Sequence, residues 1–552
     1  MVRTSTSLPR FAVCLLGTTL LVGAQNYGPS GIWPQGAGPN GNWSATGPEP
    51  PRQFSATTGT NILWRTPLPE TGQGGIAVVA DRVYVATMAP WNGTGLDPDD
   101  AVKYAHAVEK REVVGKHIDG HCLDAATGKL LWTRRIEGTV PSIYGYPFSD
   151  ATSASPVADA DHVWFTNAGG RVVCFTRDGE EVWHRDFTPT YDGPFNKQFE
   201  PFLVDDRARG KGAKTFVHME PFEAPDGKGR WHYLVGLDAA TGEELWRSED
   251  ALTHYNAPTL VLSPYDAFAV HARGGPHAVP ERPVGISFTR LTGVDAGRRM
   301  WRYDDPRGNH EAALQTMTAD SRHVYWLLRD DRNALVVLDL KTGKELRAIP
   351  LTKGVDRTTF DAETDSFVTE KGVDLDQGVF PARYSMHAAN DCVFFQCYAT
   401  AWGKPTIGPP YSFCRVRVGD EPVADNVWYF EVPTGVHRED GVETLRWRTK
   451  RQARAINSRG EEVTGDQRSR WDGWDWVFNG SPTQVNDHLY YTLATGAVYV
   501  LEAGAWTSGS QAFVALNDLG PDGETWTANS ISYARGRLYH RTARELLCIG
   551  EK

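Results

Sequence analysis

The sequence has few cysteines, no excess of basic residues and no long hydrophobic segment. Its seven cysteines among 552 residues are far apart and follow no metal-ligand spacing, and no C-x-x-C-H haem motif is present. The 57 Lys and Arg against 68 Asp and Glu give a formal net charge of −11, which argues against nucleic-acid binding. The apolar run at residues 11–22 is too short to span a membrane.

The N-terminus has the pattern of a secretory signal peptide. Arg3 and Arg10 precede the apolar run, and Gly23 and Ala24 end it with small residues. Cys14 lies inside the run rather than at a lipoprotein-type cleavage site. We therefore expect a signal peptide at residues 1–24 and a soluble, exported protein, periplasmic or secreted, with no membrane span in the mature chain. An uncleaved N-terminal anchor is the alternative.

The six cysteines of the mature chain are interpreted as small buried residues. Most fall in apolar, strand-like runs such as RVVCF and ELLCIG. In an oxidising compartment one pair among Cys392, Cys397 and Cys414 could form a disulfide, and the sequence leaves this open.

The composition favours many short strands joined by turns, because Gly (55), Pro (34) and Trp (19) are all frequent. One unit recurs, in which a D-x-x-T-G turn is followed by Trp, as in CLDAATGKLLW and GLDAATGEELW. Asp can accept hydrogen bonds from the turn amides and Gly supplies a positive φ, so each unit predicts a β-hairpin. The units end at Trp132, Trp183, Trp246, Trp301, Arg347 (in the place of Trp), Trp447 and Trp526.

Strands that precede the hairpins predict a closed ring. Openings such as ADRVYVAT, NDHLYYTL and RGRLYHRT add strands, so that each unit has about four. The last unit lacks its final strand, and TNILWRTPLP near the N-terminus, with Trp64, offers one. We predict an all-β fold, an eight-bladed β-propeller of four-stranded antiparallel blades closed by N- and C-terminal strand pairing. An N-terminal extension (25–60) would precede a single propeller domain (61–552).

The D-x-x-T-G-x-x-x-W hairpins resemble those of the PQQ-like repeat β-propellers, the superfamily of the quinoprotein dehydrogenases and of the BamB assembly lipoprotein. The resemblance covers about residues 31–550, and IWPQGAGPNGNW is similar to the W-P-x-x-x-G-P-N opening of exported planctomycete-type members. It implies the propeller fold. It implies no particular function, because the hairpin Trp packs between blades even in members that bind no cofactor.

Functional residues are expected on one face of the ring. If strands a to d of each blade run outward from the axis, the D-x-x-T-G turn joins c to d, and the d–a and b–c connections share the opposite end, here called the d–a face. These connections are rich in polar and aromatic residues, as in VHARGGPHAVPERPVG at residues 270–285. The substrate-binding candidates are Arg273, Asn256, Tyr255, Glu200, His310, Glu311, Tyr384, His387, Trp476 and Asn479.

Four residues of the d–a face are catalytic candidates, because His and Glu can act as base and acid. Arg273 would anchor an anionic group, and aromatic side chains would stack on sugar rings. The set predicts a small-molecule or oligosaccharide ligand that is anionic or polyhydroxylated. The catalytic candidates are His254, His277, Glu281 and Glu220, and the candidate ligands of a divalent metal ion are His254, His271 and His277.

Three functions from different classes stay open. The first is an exported protein that acts on or binds a carbohydrate or sugar acid. No G-x-S-x-G, H-E-x-x-H, P-loop or dinucleotide motif selects between lyase, hydrolase and oxidoreductase chemistry. The second, which the resemblance implies, is a PQQ-dependent sugar or alcohol dehydrogenase. We do not expect PQQ, because the Cys-Cys dipeptide of many quinoprotein alcohol dehydrogenases is missing. The third is a non-catalytic, BamB-like binding or scaffold protein.

Overall fold

The computed structural model describes most of the chain from Gly31 to Glu551, and nearly all of its regular structure is β-strand. No helix in the described part of the chain is long and apolar enough to cross a membrane. The described residues are 31–70, 72, 74–89, 113–139, 142–143, 153–189, 200–253, 257–274, 281–305, 317–328, 333–361, 364, 366–375, 380–398, 400–401, 404–405, 412–420, 425–432, 436–439, 442–445, 456–460, 480–504, 509–521 and 524–551.

The strands form a ring of eight antiparallel blades, which confirms the predicted fold. In blades 1 to 7 the four blade strands follow the chain from strand a at the axis to strand d at the rim. Blade 1 is Ala77–Val79, Arg82–Met88, Ile118–Asp124 and Leu130–Ile136; blade 2 is Val157–Ala158, His162–Asn167, Arg171–Thr176 and Glu181–Asp186; blade 3 is Phe202–Asp205, Lys214–Glu223, Arg230–Asp238 and Glu244–Leu252; blade 4 is Thr259–Leu262, Ala267–Arg273, Gly285–Arg290 and Arg299–Asp304.

The second half of the ring follows the same order, and its last blade takes strand d from the N-terminal side. Small two-stranded sheets, Val113–Gly115 with Ser142–Ile143, Thr400–Ala401 with Lys404–Pro405 and Val436–Glu439 with Val442–Leu445, lie outside the blades. Blade 5 is Met317–Ala319, His323–Leu328, Ala334–Asp339 and Glu345–Pro350; blade 6 is Phe380–Ala389, Cys392–Tyr398, Ser412–Arg417 and Asn426–Glu431; blade 7 is Thr483–Val485, His488–Thr492, Ala497–Glu502 and Phe513–Asp518; blade 8 is Ser532–Ala534, Arg537–Arg541, Glu545–Ile549 and Ile62–Pro67.

The ring closes through blade 8, as predicted. Ile62–Pro67 pairs antiparallel with Glu545–Ile549, with Trp64 opposite Cys548 and Thr66 opposite Leu546. Closure by strands from both ends of the chain leaves the last blade with a complete sheet instead of an open edge. The six described cysteines are buried and free, so no disulfide adds to this closure.

At each of five consecutive blade junctions, a tryptophan of strand d packs on a glycine in the c–d turn of the next blade. Trp301 of blade 4 lies on the c–d turn of blade 5, where a Cβ on Gly343 would come within 2.4 Å of the indole ring. Its Nε1 donates to the carbonyl oxygen of Leu340 at 2.7 Å. Asp339 accepts from the amide and the hydroxyl of Thr342, as the D-x-x-T-G pattern predicts. The same packing joins Trp64 to Gly128, Trp132 to Gly179, Trp183 to Gly242 and Trp246 to Gly297.

The pattern changes at the junction of blades 5 and 6. Arg347, which replaces Trp, donates to both carboxylate oxygens of Asp425 at 3.1 and 3.0 Å and to the carbonyl of Gly419 at 2.7 Å. Blade 6 also carries an extra hairpin, Val355–Asp361 and Ser366–Val373, whose first strand pairs in parallel with strand d. The hairpin packs apolar side chains over the junction with blade 7. At this junction a hairpin, rather than a tryptophan on a glycine turn, covers the rim.

The N-terminal residues 31–48, here called the axial segment, run through the centre of the ring. Trp33 is fully buried and forms a backbone bridge with Val78 of blade 1. The Gln35 side chain accepts the amide of Leu203 in blade 3, and Ser44–Ala45 pairs in parallel with blade 7. The segment also contacts Ala158, Leu260, His387 and Tyr533 of blades 2, 4, 6 and 8.

Candidate functional site

Polar side chains on the d–a face join neighbouring blades. Glu220, at the end of strand b in blade 3, accepts two hydrogen bonds from Arg185 of blade 2 at 2.6 and 3.0 Å. His218 Nε2 lies 2.9 Å from the same carboxylate. Burial opposes ionisation of Glu220, but these contacts lower its pKa to about 2. The carboxylate is therefore ionised and engaged between blades, and its proposed catalytic role stays a prediction.

Arg273 and His271 are enclosed within blade 4. The Arg273 guanidinium is 1% exposed and donates to Ser287 at 2.8 Å, to Asp304 at 2.9 Å and to the carbonyl of Pro283. Burial lowers the pKa of His271 to about 4, so its ring is neutral at physiological pH, and Nε2 lies 2.9 Å from the hydroxyl of Thr289. Arg273 and Nε2 of His271 therefore have partners inside the blade, whereas Nδ1 of His271 is buried without a hydrogen-bond partner among the described residues; their proposed roles stay predictions.

Glu281 and His387 also contact other parts of the protein. Glu281 is fully buried, and its Oε1 lies 3.5 Å from Nδ1 of His232 in blade 3. His387 lies in strand a of blade 6 rather than in a loop; its Nδ1 is 2.9 Å from the carbonyl oxygen of Asn42 and its Nε2 is 2.5 Å from Gln484. These contacts link blade 4 to blade 3 and blade 6 to both the axial segment and blade 7.

Apart from Glu200, the remaining predicted site residues lie in a strand of blade 6 or outside the described part of the chain. Tyr384 lies in strand Phe380–Ala389 of blade 6, where the structure describes the backbone. The other candidates, whose positions stay predictions, lie outside the described residues: His254, Tyr255, Asn256, His277, His310, Glu311, Trp476 and Asn479.

Five blades place a structurally equivalent residue beside the axis, two positions before strand a. Four of these residues are small, and in blade 3 the equivalent residue is Glu200. Hydrogen bonds join members of this set at the junctions of blades 7 and 8, 1 and 2, and 2 and 3, and we call the set the axial arc. The arc consists of Ser481, Ser530, Gly75, Ser155 and Glu200 of blades 7, 8, 1, 2 and 3.

Hydrogen bonds run along the axial arc and end at a carboxyl group. The Ser530 hydroxyl accepts the amide of Ser481 at 2.7 Å, and the Ser155 hydroxyl accepts the amide of Gly75, also at 2.7 Å. Ser155 donates in turn to Oε1 of Glu200 at 3.2 Å. Oε2 of Glu200 is buried and has no hydrogen-bond partner among the described residues. The arc therefore presents one carboxyl oxygen with unused hydrogen-bonding capacity near the axis.

Burial changes the protonation of Glu200. Removal of the carboxyl group from water raises its pKa to about 7, and the hydrogen bond from Ser155 only partly opposes this shift. The backbone of the axial segment is close, since a Cβ on Gly36 would lie 1.6 Å from Oε2. Near neutral pH the group can therefore be a hydrogen-bond donor as well as an acceptor, which is the property required of a general acid.

A buried arginine near the arc was missed from the sequence. Arg541 of blade 8 is 1% exposed, and its Nη1 donates to the carbonyls of Ala86 and Gly74 at 2.7 and 3.3 Å. Asn529 donates to the same Gly74 carbonyl at 2.9 Å. The available signal for the axial arc was the recurrence of Ser or Gly two residues before strand a in four blades, which indicates close approach of chains at the axis.

The described residues offer no evident metal centre. No group of three or more His, Cys, Asp or Glu side chains in the described part of the chain converges in a way that could hold a metal ion. Of the three candidate metal ligands, His271 lies in strand b of blade 4, and His254 and His277 lie outside the described residues.

Comparisons with known proteins agree with the fold. A family model described as outer membrane protein assembly factor BamB matches residues 52–207 and 116–279. Quinohemoprotein alcohol dehydrogenase from Comamonas testosteroni is 13% identical over 94% of this chain and 81% of that chain, with a TM-score of 0.50. A europium-containing methanol dehydrogenase is 12% identical (92% and 89% covered, TM-score 0.46), and BamB from Moraxella catarrhalis is 11% identical (91% and 96% covered, TM-score 0.34). No curated protein matches the sequence significantly. At these identities the likeness to solved structures shows the fold alone.

Proposed function

We propose that this chain, a β-propeller of the PQQ-like repeat superfamily, is exported and binds a carbohydrate or sugar acid at the d–a end of its axis. The observation that carries the proposal is Glu200. In four other blades the equivalent residue is Ser or Gly, whereas blade 3 has a carboxyl group with one oxygen unpartnered among the described residues. A buried polar atom without a partner is costly, so its retention favours a ligand that supplies the missing hydrogen bond.

The chemistry of Glu200 suits a hydroxyl-rich ligand. A carboxyl group whose pKa is raised to about 7 can donate to, or accept from, a sugar hydroxyl near neutral pH. Ser155 fixes the orientation of the group through Oε1, and Oε2, which faces Gly36 of the axial segment, has no hydrogen-bond partner among the described residues. If the protein is an enzyme, Glu200 is the residue that we expect to transfer a proton.

The test compares Glu200→Gln with Glu180→Gln in the mature chain. Glu180 is exposed in the c–d turn of blade 2, on the opposite face, and serves as the matched control. Binding of neutral and acidic sugars would be measured by titration calorimetry at pH 5 and pH 8. We expect Glu200→Gln to weaken binding by about tenfold or more, equivalent to about 1.4 kcal/mol, and Glu180→Gln to leave it unchanged. Equal affinity in both variants would refute the proposal.

A second candidate function is ligand or protein binding without catalysis. It is favoured by the contacts of Glu220, Arg273 and His387, whose charged or ring groups bind other parts of the protein. Sugar binding without turnover, with Glu200→Gln reducing affinity, would select this function over an enzyme.

The PQQ-dependent alternative gains no support from the described donor groups. PQQ is an anionic quinone, and among the described residues the buried Arg273 and Nη1 of the buried Arg541 already donate to protein carbonyl or carboxylate oxygens. The described residues also form no metal-binding cluster that could accompany it. The described residues therefore do not fit the cofactor, and no reaction step is assigned to it.

A further inference from the structure

A separate cavity opens at the other end of the axis, on the face that carries the a–b and c–d turns. Its volume is about 440 Å³, within the roughly 300–1,000 Å³ of small-molecule sites. Its walls come from the axial segment and from strand a or the a–b turn of blades 1, 2, 3, 4 and 8. Glu200 and the other residues of the axial arc do not line it.

An aromatic ring is held exposed at the mouth of this cavity. Tyr265 is 73% exposed, although it lines the cavity, and it lies at the tip of the a–b turn of blade 4. The turn is tied by hydrogen bonds between Ser263 and Asp266, with the Ser263 amide donating to the Asp266 carbonyl at 2.8 Å and the Ser263 hydroxyl accepting the Asp266 amide at 3.0 Å. Pro264 precedes the tyrosine, and its ring further restricts the backbone of the turn. A rigid, exposed ring offers a flat stacking surface at little entropic cost.

Two arginines with unused hydrogen-bonding capacity line the same cavity. Arg535, from the a–b turn of blade 8, is exposed and lines the cavity from the other side of the axis. Arg207, from the long a–b turn of blade 3, is also exposed, and its side-chain contact is a weak 3.5 Å bond to the carbonyl of Pro264. Neither guanidinium has a carboxylate partner among the described residues. By contrast, Lys214 and Asp159 of the same cavity pair with each other at 2.5 Å.

These observations define the class of ligand. Two unpaired guanidinium groups favour a carboxylate, which accepts paired hydrogen bonds from arginine. The exposed tyrosine favours a flat, partly apolar ring, and the exposed carboxylate of Asp205 at the same cavity can accept hydrogen bonds from hydroxyl groups. We infer that the a–b-face cavity is a second binding site, which takes a short acidic oligosaccharide with one sugar ring on Tyr265 and its carboxylates at Arg535 and Arg207.

The experiment uses the mature chain and trigalacturonate, with its methyl ester as the uncharged analogue. Titration calorimetry would compare wild type with Tyr265→Ala and Arg535→Ala. Val294→Ala is the control, since Val294 is fully exposed in the c–d turn of blade 4 and does not line the cavity. We expect each of the first two variants to weaken binding by about tenfold or more, and Val294→Ala to have no effect. The methyl ester should bind more weakly, and 0.5 M salt should reduce affinity for the acid.

Glu200→Gln separates this inference from the proposed function of the d–a face. Trigalacturonate binding that Tyr265→Ala weakens and Glu200→Gln does not would support the second site. Binding lost in Glu200→Gln but unchanged in Tyr265→Ala would place the ligand at the axial arc and overturn the inference. Absence of binding by wild type, or equal affinity for the acid and the ester, would overturn it as well. All variants lie on the surface or in loops except Glu200→Gln, whose melting temperature at pH 5 would verify its folding.

Discussion

The rim of this propeller and its axis are held together in different ways. At the rim one contact, tryptophan on the glycine of the next turn, repeats at five successive junctions. At the axis the contacts change from blade to blade: Asn529 reaches a carbonyl, Ser155 joins an amide to a carboxyl group, and His387 joins two separate segments. The repeated contact follows from the repeated sequence and specifies the fold. The irregular contacts do not follow from the repeated unit, and both proposed sites lie near the axis, where these contacts occur.

The largest effect should come from removing the contacts that only the N-terminal region supplies. Deletion of residues 25–70 removes the closing strand Ile62–Pro67 and the whole axial segment. We expect the remaining chain to lose cooperative unfolding in urea, because blade 8 lacks a strand and the core cluster that includes Trp33 and Trp64 is broken. Circular dichroism and tryptophan fluorescence would follow the transition.

A shorter deletion separates the stability that the closing strand contributes at the rim from the stability that the axial segment contributes at the axis. Removal of residues 25–58 keeps the closing strand but deletes the axial segment, so we expect cooperative unfolding at a lower urea concentration. If the deletion of residues 25–70 unfolds like the full mature chain, strand closure does not stabilise the ring. If only the deletion of residues 25–58 has no effect, the axial segment contributes nothing to stability.

At the rim, Trp301→Ala tests the repeated contact alone. The indole is 8% exposed, packs on Gly343 and donates to Leu340, so we expect a loss of about 3–5 kcal/mol of unfolding free energy, the range for large-to-small core substitutions. Met300→Ala is the control; its neighbouring side chain is 48% exposed and its loss should change stability by less than about 0.5 kcal/mol. A stable Trp301→Ala protein that had lost sugar binding would show instead that these tryptophans contact the ligand.

The same division explains what could be predicted from the sequence. The hairpin unit recurs in blades 1 to 5, so the fold, the number of blades and the pairing of Trp64 with the C-terminal strand could be predicted from the sequence. The units predicted to end at Trp447 and Trp526 were wrong, because strand d is Asn426–Glu431 in blade 6 and Phe513–Asp518 in blade 7. The axial segment has no periodicity, and its partners lie up to several hundred residues away, as with Asn42 and His387. The face that carries Glu220 and Arg273 could be predicted from the blade order, but their partners Arg185 and Asp304 could not, because these lie on other strands with no motif of their own.

At the axis, Glu200→Gln should change how stability depends on pH. The folded-state pKa of Glu200 is raised to about 7. Its contribution to the free energy of unfolding is therefore fully present below the unfolded-state pKa of about 4.5 and is lost as the pH rises to 7. We expect the wild-type protein to lose about 3 kcal/mol of unfolding free energy over this range relative to the glutamine variant, because each tenfold difference in proton affinity is worth about 1.4 kcal/mol. Urea unfolding of both proteins at pH 5 and pH 8 measures this. Parallel pH profiles would mean that the carboxyl group is solvated or paired in the folded protein.

The smallest effect is expected where the rim departs from its own pattern. Arg347 stands where four preceding blades have tryptophan, and its side chain is 32% exposed in an ion pair with Asp425, which is 28% exposed. Partly exposed ion pairs contribute little, so Arg347→Ala should cost less than about 1 kcal/mol, and less again in 0.5 M salt. Arg347→Trp should not restore a tryptophan seal, because the turn after Arg417 reads VGDEPVAD and lacks the D-x-x-T-G glycine. Urea unfolding of both variants beside Trp301→Ala checks the contrast. A loss at Arg347 as large as that at Trp301 would show that this ion pair stabilises the junction of blades 5 and 6 as strongly as a tryptophan does elsewhere.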